Sequence, residues 1–363
     1  MQKISGIQTL FLMTTFDVGM SLMAMITPTV QKVHQDAWIS IIIATVASML
    51  FTYLAVQLSS LYPERSFAGC FKGVFGPILG IPIVAIYAIQ WTVVTGMAVR
   101  QIVDFAMPTL QLYNTPFQFV ILCILALSAY AILAGGIESL GRSSEIITPL
   151  VLGTLTLALV ISFRVQPLDN LLPILRPHLA QSLISGAIPA ASFLTQGTVV
   201  MVMYPYLSDQ KSRLAGVWGT GIAGVILMLA TIETTSIFGP TLPSRMWNPF
   251  FMLMRFISIA NFIQNVDSII VVIWFFSAFI RIAVYAWVAS QVTTDLIGVN
   301  VRLTTVFISI CAFVISLLPS SIVVSTKHYP TQIVEPFVLP VLNIGLPVLG
   351  LLIAMLRKRI QTE

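Results

Sequence analysis

The sequence predicts an all-α polytopic membrane protein with about ten transmembrane helices. Three observations predict it. Hydrophobic residues make up 57% of the 363-residue chain and charged residues only 9%, whereas a soluble domain carries roughly 25% charge and needs it to cover its surface. The mean hydropathy is +0.96. Apolar runs long enough to cross a bilayer, each about 20 residues, recur from one end of the chain to the other.

Breaking those runs at Pro, Gly and charge gives ten candidate spans, at 7–30, 37–61, 76–107, 116–135, 145–163, 183–206, 214–238, 265–291, 302–319 and 337–356. The third is long enough to tilt or project. No connection leaves room for a soluble domain, so residues 1–363 are read as one transmembrane permease-like domain. Lys3 is followed directly by the first apolar run, with no small-residue cleavage site behind it, so that run is read as a retained span.

The connections set the orientation through their Lys and Arg. With the N-terminus inside, the inner set is Lys3, Arg65, Lys72, Arg142, Lys211, Arg213, Arg302, Arg357, Lys358 and Arg359, against an outer set of Lys32, Arg164, Arg176, Arg245, Arg255 and Lys327. An even number of spans then places both termini in the cytoplasm. The outer connection 164–182 carries Pro167, Pro173 and Pro177 and is expected to be extended. The segment 240–264, with Trp247, Phe250, Phe251, Met254 and Ile257 interrupted by Arg245 and Arg255, reads as a helix lying at the outer interface or as a loop packed on the bundle.

Ten spans divide into two sets of five, about 7–163 and 183–356. Five is odd, so the halves must be inverted, as in many secondary transporters. The first span of each half carries a mid-span glycine and then a proline: Gly19 and Pro28, Gly197 and Pro205. An interrupted helix frees backbone groups where there is no water, and these must be met by protein, an ion or a ligand. The expected breaks are Asp17 to Ser21 and Ala187 to Gly197. The ligand-binding candidates there are Asp17, Gly19, Met20, Ser21, Ser192, Phe193, Thr195, Gln196 and Gly197. The alternative is a pair of kinked helices packed through small residues.

Charges inside spans are costly and usually functional. Asp17 falls near the midplane and suits a substrate amine, a cation or a proton, or else it is a structural ion pair or a buried protonated acid. Arg100 and Asp104 are four apart on one helix face and can pair, or Arg100 snorkels to the interface. Arg281 is expected to face the bundle and meet a carboxylate. Glu233 lies near an outer end, at an entrance or at the interface. No cofactor is implied. His34, His178 and His328 are scattered without metal-ligand spacing, and Cys70, Cys123 and Cys311 lack disulfide or ligand spacing. No catalytic motif is present, and the net charge of +5 includes no basic cluster beyond Arg357, Lys358 and Arg359. Neither an enzyme nor a nucleic-acid binder is expected, and membrane lipid is the surrounding partner.

The stretch GGIESLGRSSEIITPL, Gly135 to Leu150, crosses the inner connection between spans 4 and 5. With the opening ISGIQTLFLM, Pro63-Glu64 after span 2 and Tyr204-Pro205-Tyr206 ending span 6, it resembles the spore germination permease-like proteins, the B subunits of germinant receptors. The resemblance implies the five-plus-five inverted-repeat fold of the amino acid–polyamine–organocation transporters, with helices 1 and 6 broken. It also implies a place in the spore inner membrane, a small germinant such as an amino acid, and partnership with an A subunit and a lipoprotein C subunit. By position, the ligand rests on Gly19 to Ser21 and Phe193 to Gly197, with a glutamate in many relatives where this chain has Gln196. Glu138, Arg142 and Glu145 are expected to form an ion-pair network pinning spans 4 and 5. A germinant-sensing subunit is therefore the leading reading, with a proton- or sodium-coupled amino acid transporter, or a release pore opened by a partner, as alternatives.

Overall fold

The computed structural model describes residues 3–163, 168–172, 179–256 and 266–360. Those residues form an all-α bundle in which eight helical segments are long and apolar enough to cross a membrane, joined by a shorter apolar helix, Val301–Leu317. Twelve α-helices are numbered along the chain: α1 Gly6–Ala24, α2 Ile26–Val33, α3 Ala37–Ser60, α4 Phe67–Thr109, α5 Phe117–Phe163, α6 Leu179–Leu194, α7 Gly197–Met203, α8 Gln210–Phe238, α9 Pro249–Phe256, α10 Val266–Ile297, α11 Val301–Leu317 and α12 Leu346–Ile360.

The helix α1 starts at a capping box, in which Ser5 accepts from the Gln8 amide and the Gln8 side chain accepts from the Ser5 amide. It runs unbroken through Asp17–Ser21, where an interruption was expected, and ends at Met25. The cause is Pro28, which has no N–H for the carbonyl of Ala24 four residues back and whose ring crowds it. The chain then resumes as α2. In span 6 the interruption is Thr195–Gln196, between α6 and α7, inside the expected window. Pro189 does not end α6. The carbonyl it leaves without a helical partner, Ser185 O, accepts from Lys32 Nζ at 3.1 Å.

Helix α5 is continuous in outline but reverses at Gly136, whose φ of 53° and ψ of −137° are non-helical. Neighbours establish the reversal. Phe117, at its start, lies under the Arg100 guanidinium near the far end of α4. Gly141 packs on Ile4 and Gln8 at the beginning of the chain, and Ser162 meets Glu233 late in α8. The two arms therefore run in opposite directions. Only glycine tolerates this backbone cheaply, so Gly136→Ala is expected to cost about 1–3 kcal/mol, read as a lower melting temperature of the purified protein.

Both chain ends lie at one end of the bundle. The Ile4 amide donates to Tyr206 O at 2.8 Å, Tyr206 packs on Trp287, and Arg357 donates to Gly73 O at 3.2 Å.

Three expectations need correction. Residues 320–336, read as a connection, are largely helical, with wide π-type turns at Val324–His328 and Pro330–Gly345. Pro330, Pro336 and Pro340 cannot donate to an ordinary α ladder, and the wider turn accommodates them. Of the segment 240–264, residues 240–248 form turns and the helix α9 begins only at Pro249, packing on the bundle through buried Phe250, Leu253 and Met254; Ile257 lies outside the described residues, as do Arg164, Pro167, Pro173, Arg176, Pro177 and His178 of the connection 164–182. The only charge pair between Glu138, Arg142 and Glu145 joins Glu138 to Arg142 at 2.6 Å, exposed and within one arm of α5, so it does not pin two spans.

Candidate ligand-binding site

Arg281 organises the centre. It comes from α10, which lies antiparallel against α1, with the Trp274 indole donating to Gly19 O and Ser277 donating to Thr15 O. The approach is close because Gly19 has no side chain; a Cβ there would stand 3.0 Å from the Ser277 backbone. Arg281 is 3% exposed. Its Nη1 donates to Phe16 O at 2.9 Å, with Asp17 O and Ser21 Oγ at 3.4 and 3.3 Å, and its Nη2 donates to Phe193 O at 3.2 Å and Tyr285 Oη at 3.1 Å. The rings of Phe16, Phe193 and Tyr285 surround it, with the guanidinium carbon 4.8 Å from the Phe16 centroid. Among the described residues it forms no ion pair, so the expected carboxylate is replaced by carbonyl oxygens and aromatic faces. One side chain thus joins the first span to the end of α6, just before its interruption.

A cavity of about 50 Å³ opens above Arg281, lined by Met20, Ser192, Phe193, Gln196, Gln90 and Tyr285 among others. It adjoins a vestibule of about 360 Å³ on the side of α2, residues 246–248 and the π-helical segment, the two sharing Met20, Gln101, Ser192, Phe193 and Pro330 as wall residues. Of the residues singled out in the sequence, Met20, Ser192, Phe193, Gln196 and Arg281 line the cavity. Asp17, Gly19, Ser21, Thr195 and Gly197 stand behind it. Thr195 bonds Ser48 on α3 at 2.8 Å, and Gly197 lets α7 approach α3, where a Cβ would lie 2.8 Å from Thr52 Cα.

The sequence model of the family described as "Spore germination protein" matches residues 3–323. The chain belongs to that family. It is 28% identical over 273 residues to spore germination protein YndE of Bacillus subtilis (strain 168), covering 73% of this chain and 72% of the relative. It is 25% identical over 292 residues to spore germination protein A2 of the same organism, covering 78% of each, and 22% identical over 259 residues to spore germination protein XB of Bacillus anthracis, covering 71% and 72%.

In this spore germination permease-family chain the remaining intramembrane charges serve other contacts. Arg100 Nε donates to Asp104 Oδ1 at 2.9 Å and its Nη1 to Ser316 O at 3.3 Å, while Asp104 Oδ2 accepts from Ser325 at 2.7 Å. The pair is buried and ties α4 to the last two spans rather than snorkelling. Glu233 is 4% exposed and bonded to Ser162, and it does not line the cavity or the vestibule described above. Sequence reasoning passed over Gln90, Gln101, Tyr285 and Asn343, all of which line the cavity. Two signals were available. Gln90 and Gln101 are eleven apart, three helical turns, on one face of an apolar span, and Tyr285 follows Arg281 by four.

Asp17 is fully buried; its Oδ2 accepts from Thr220 at 2.7 Å, and its Oδ1 has no partner. Asp17 does not line the cavity; it stands behind Arg281, whose Nη1 lies 3.4 Å from its main-chain carbonyl. Asp17→Asn keeps an acceptor for Thr220 and removes that carboxylate, so binding of a carboxylate-bearing solute should tighten by about threefold to tenfold. Equilibrium binding to the purified variant checks this. Unchanged affinity would relegate Asp17 to packing.

Proposed function

We propose that this member of the spore germination permease family is the germinant-sensing membrane subunit of a germinant receptor, binding a small solute such as an amino acid above Arg281. The observation that carries the reading is the Arg281 bridge from Phe16 O to Phe193 O at the floor of a cavity. A solute carboxylate is the natural competitor for those guanidinium N–H groups, because it offers charge-assisted bonds where the carbonyls offer neutral acceptors. Gln90, whose side-chain oxygen has no partner, provides an acceptor for the amine of the same solute. Binding then loosens the tie between two spans, and a partner senses the movement.

The same reading places the chain in the spore inner membrane with both termini cytoplasmic, beside an A subunit and a lipoprotein C subunit. It also takes the architecture as two inverted sets of five spans. What supports that count is arithmetic: the reversal at Gly136 makes two crossings of α5, and α11 adds another to the eight long segments.

Radiolabelled amino acids bound to the protein in nanodiscs, and their uptake into proteoliposomes, test the proposal. Saturable binding without accumulation is the expected result. Gradient-driven concentrative uptake would replace sensing by transport, and a standing conductance without solute would favour a pore.

A further inference from the structure

Resting on the amino acid reading above, we propose that the solute is an amino acid with a large apolar or aromatic side chain, its head group in the inner cavity and its side chain in the vestibule. Size comes first. The inner cavity of about 50 Å³ has room for a few water molecules, and so at most for a head group. The vestibule of about 360 Å³ falls within the range of small-molecule pockets, roughly 300–1,000 Å³. The two adjoin at Met20 and Phe193, which line both, so the vestibule is the space beside the inner cavity for whatever part of a solute outgrows it.

Chemistry assigns the two ends. The inner cavity offers a guanidinium and the amides of Gln90, Gln196 and Asn343. The vestibule offers the rings of Phe105, Phe193, Trp247 and Trp274 and the thioethers of Met20 and Met23. Most of its uncharged polar side chains are committed to holding the walls. Thr27 donates to Met246 O, Gln31 to Ser244 O and Gln101 to Ser325 O, each at 2.7 or 2.8 Å. The indole of Trp274 is spent on Gly19 O. Of the two charged groups on its lining, Glu335 pairs with Lys32 at 3.6 Å and Lys327 is exposed. Recognition in the vestibule is therefore by apolar contact, and a side chain no larger than a methyl group leaves nearly all of it unused.

The test is competition against radiolabelled phenylalanine on the full-length protein in nanodiscs, by glycine, alanine, leucine and phenylalanine. Burying the larger side chain should favour phenylalanine over alanine by about 10- to 100-fold. Ile322→Trp, at a 37% exposed position of the vestibule wall, should erase that advantage, read as equal competition by alanine and phenylalanine. Trp247→Ala, at a 42% exposed position, should reduce it and Trp247→Phe restore it, which keeps the test alive should the filled variant not fold. Equal or tighter binding of glycine and alanine to the unaltered protein would overturn this inference and leave the amino acid reading standing. A phenylalanine advantage that survives both Ile322→Trp and Trp247→Ala would overturn the vestibule as its source. Absence of binding by every member would overturn the amino acid reading and this inference together.

Discussion

Replacing Arg281 by methionine is expected to abolish solute binding and to lower stability by about 2–4 kcal/mol. Methionine keeps most of the apolar stem but none of the donors. Phe193 O and the Tyr285 hydroxyl lose a partner in a buried setting, and Phe16 O is left with its helical bond alone. The span-to-span tie is lost in the same step. Arg281→Lys separates the two effects. A lysine preserves the charge, but one ammonium on a flexible stem does not replace a planar fork that reaches carbonyls on two helices. The lysine variant should recover part of the stability and little of the affinity. Thermal unfolding and equilibrium binding on the same preparations check both, and a methionine variant that binds solute normally would remove Arg281 from the site.

Gly197→Ala and Gly19→Ala are expected to act nearly as strongly, although neither glycine lines the cavity. A methyl group at Gly197 would stand 2.8 Å from Thr52 Cα, and one at Gly19 would stand 3.0 Å from the Ser277 carbonyl. Both obstacles are backbone, so a helix must move rather than a side chain turn. Overpacking of this kind costs about 1–3 kcal/mol or more, and it shifts α7 against α3, or α1 against α10, at the interfaces that present Gln196 and Arg281. Leucine at either position should abolish the solute response outright while the protein still reaches the membrane. Gly153→Ala is the matched control, since a Cβ there meets nothing within 4 Å. Its binding and melting temperature should match the unaltered protein.

Composition made the membrane-embedded helical class plain, because no soluble chain with 9% charge covers its own surface. The importance of Arg281 was legible for the same reason, a charge that lipid does not tolerate without a partner. Its partners were not. A carbonyl acceptor leaves no mark in a sequence, whereas a carboxylate would have. Gly19 marks close approach rather than the interruption read into it, and α1 breaks where Pro28 removes a donor. The vestibule was hidden because its wall on this side, Ile322 to Glu335 with Pro330 within it, resembles a connection in a reading that breaks helices at proline. The amides Gln90 and Gln101 were readable as one face of a span, but only the fold shows that this face meets α6 and α10.

The most direct test of the central claim, that a solute binds above Arg281 between the first and sixth spans, is photo-crosslinking with a diazirine-bearing amino acid followed by peptide mapping. Labelling should fall on Met20, Phe193, Gln196 or the Gln90–Gln101 face of α4, and unlabelled solute should suppress it. Saturable labelling confined to other surfaces, with none on these residues, would contradict the account.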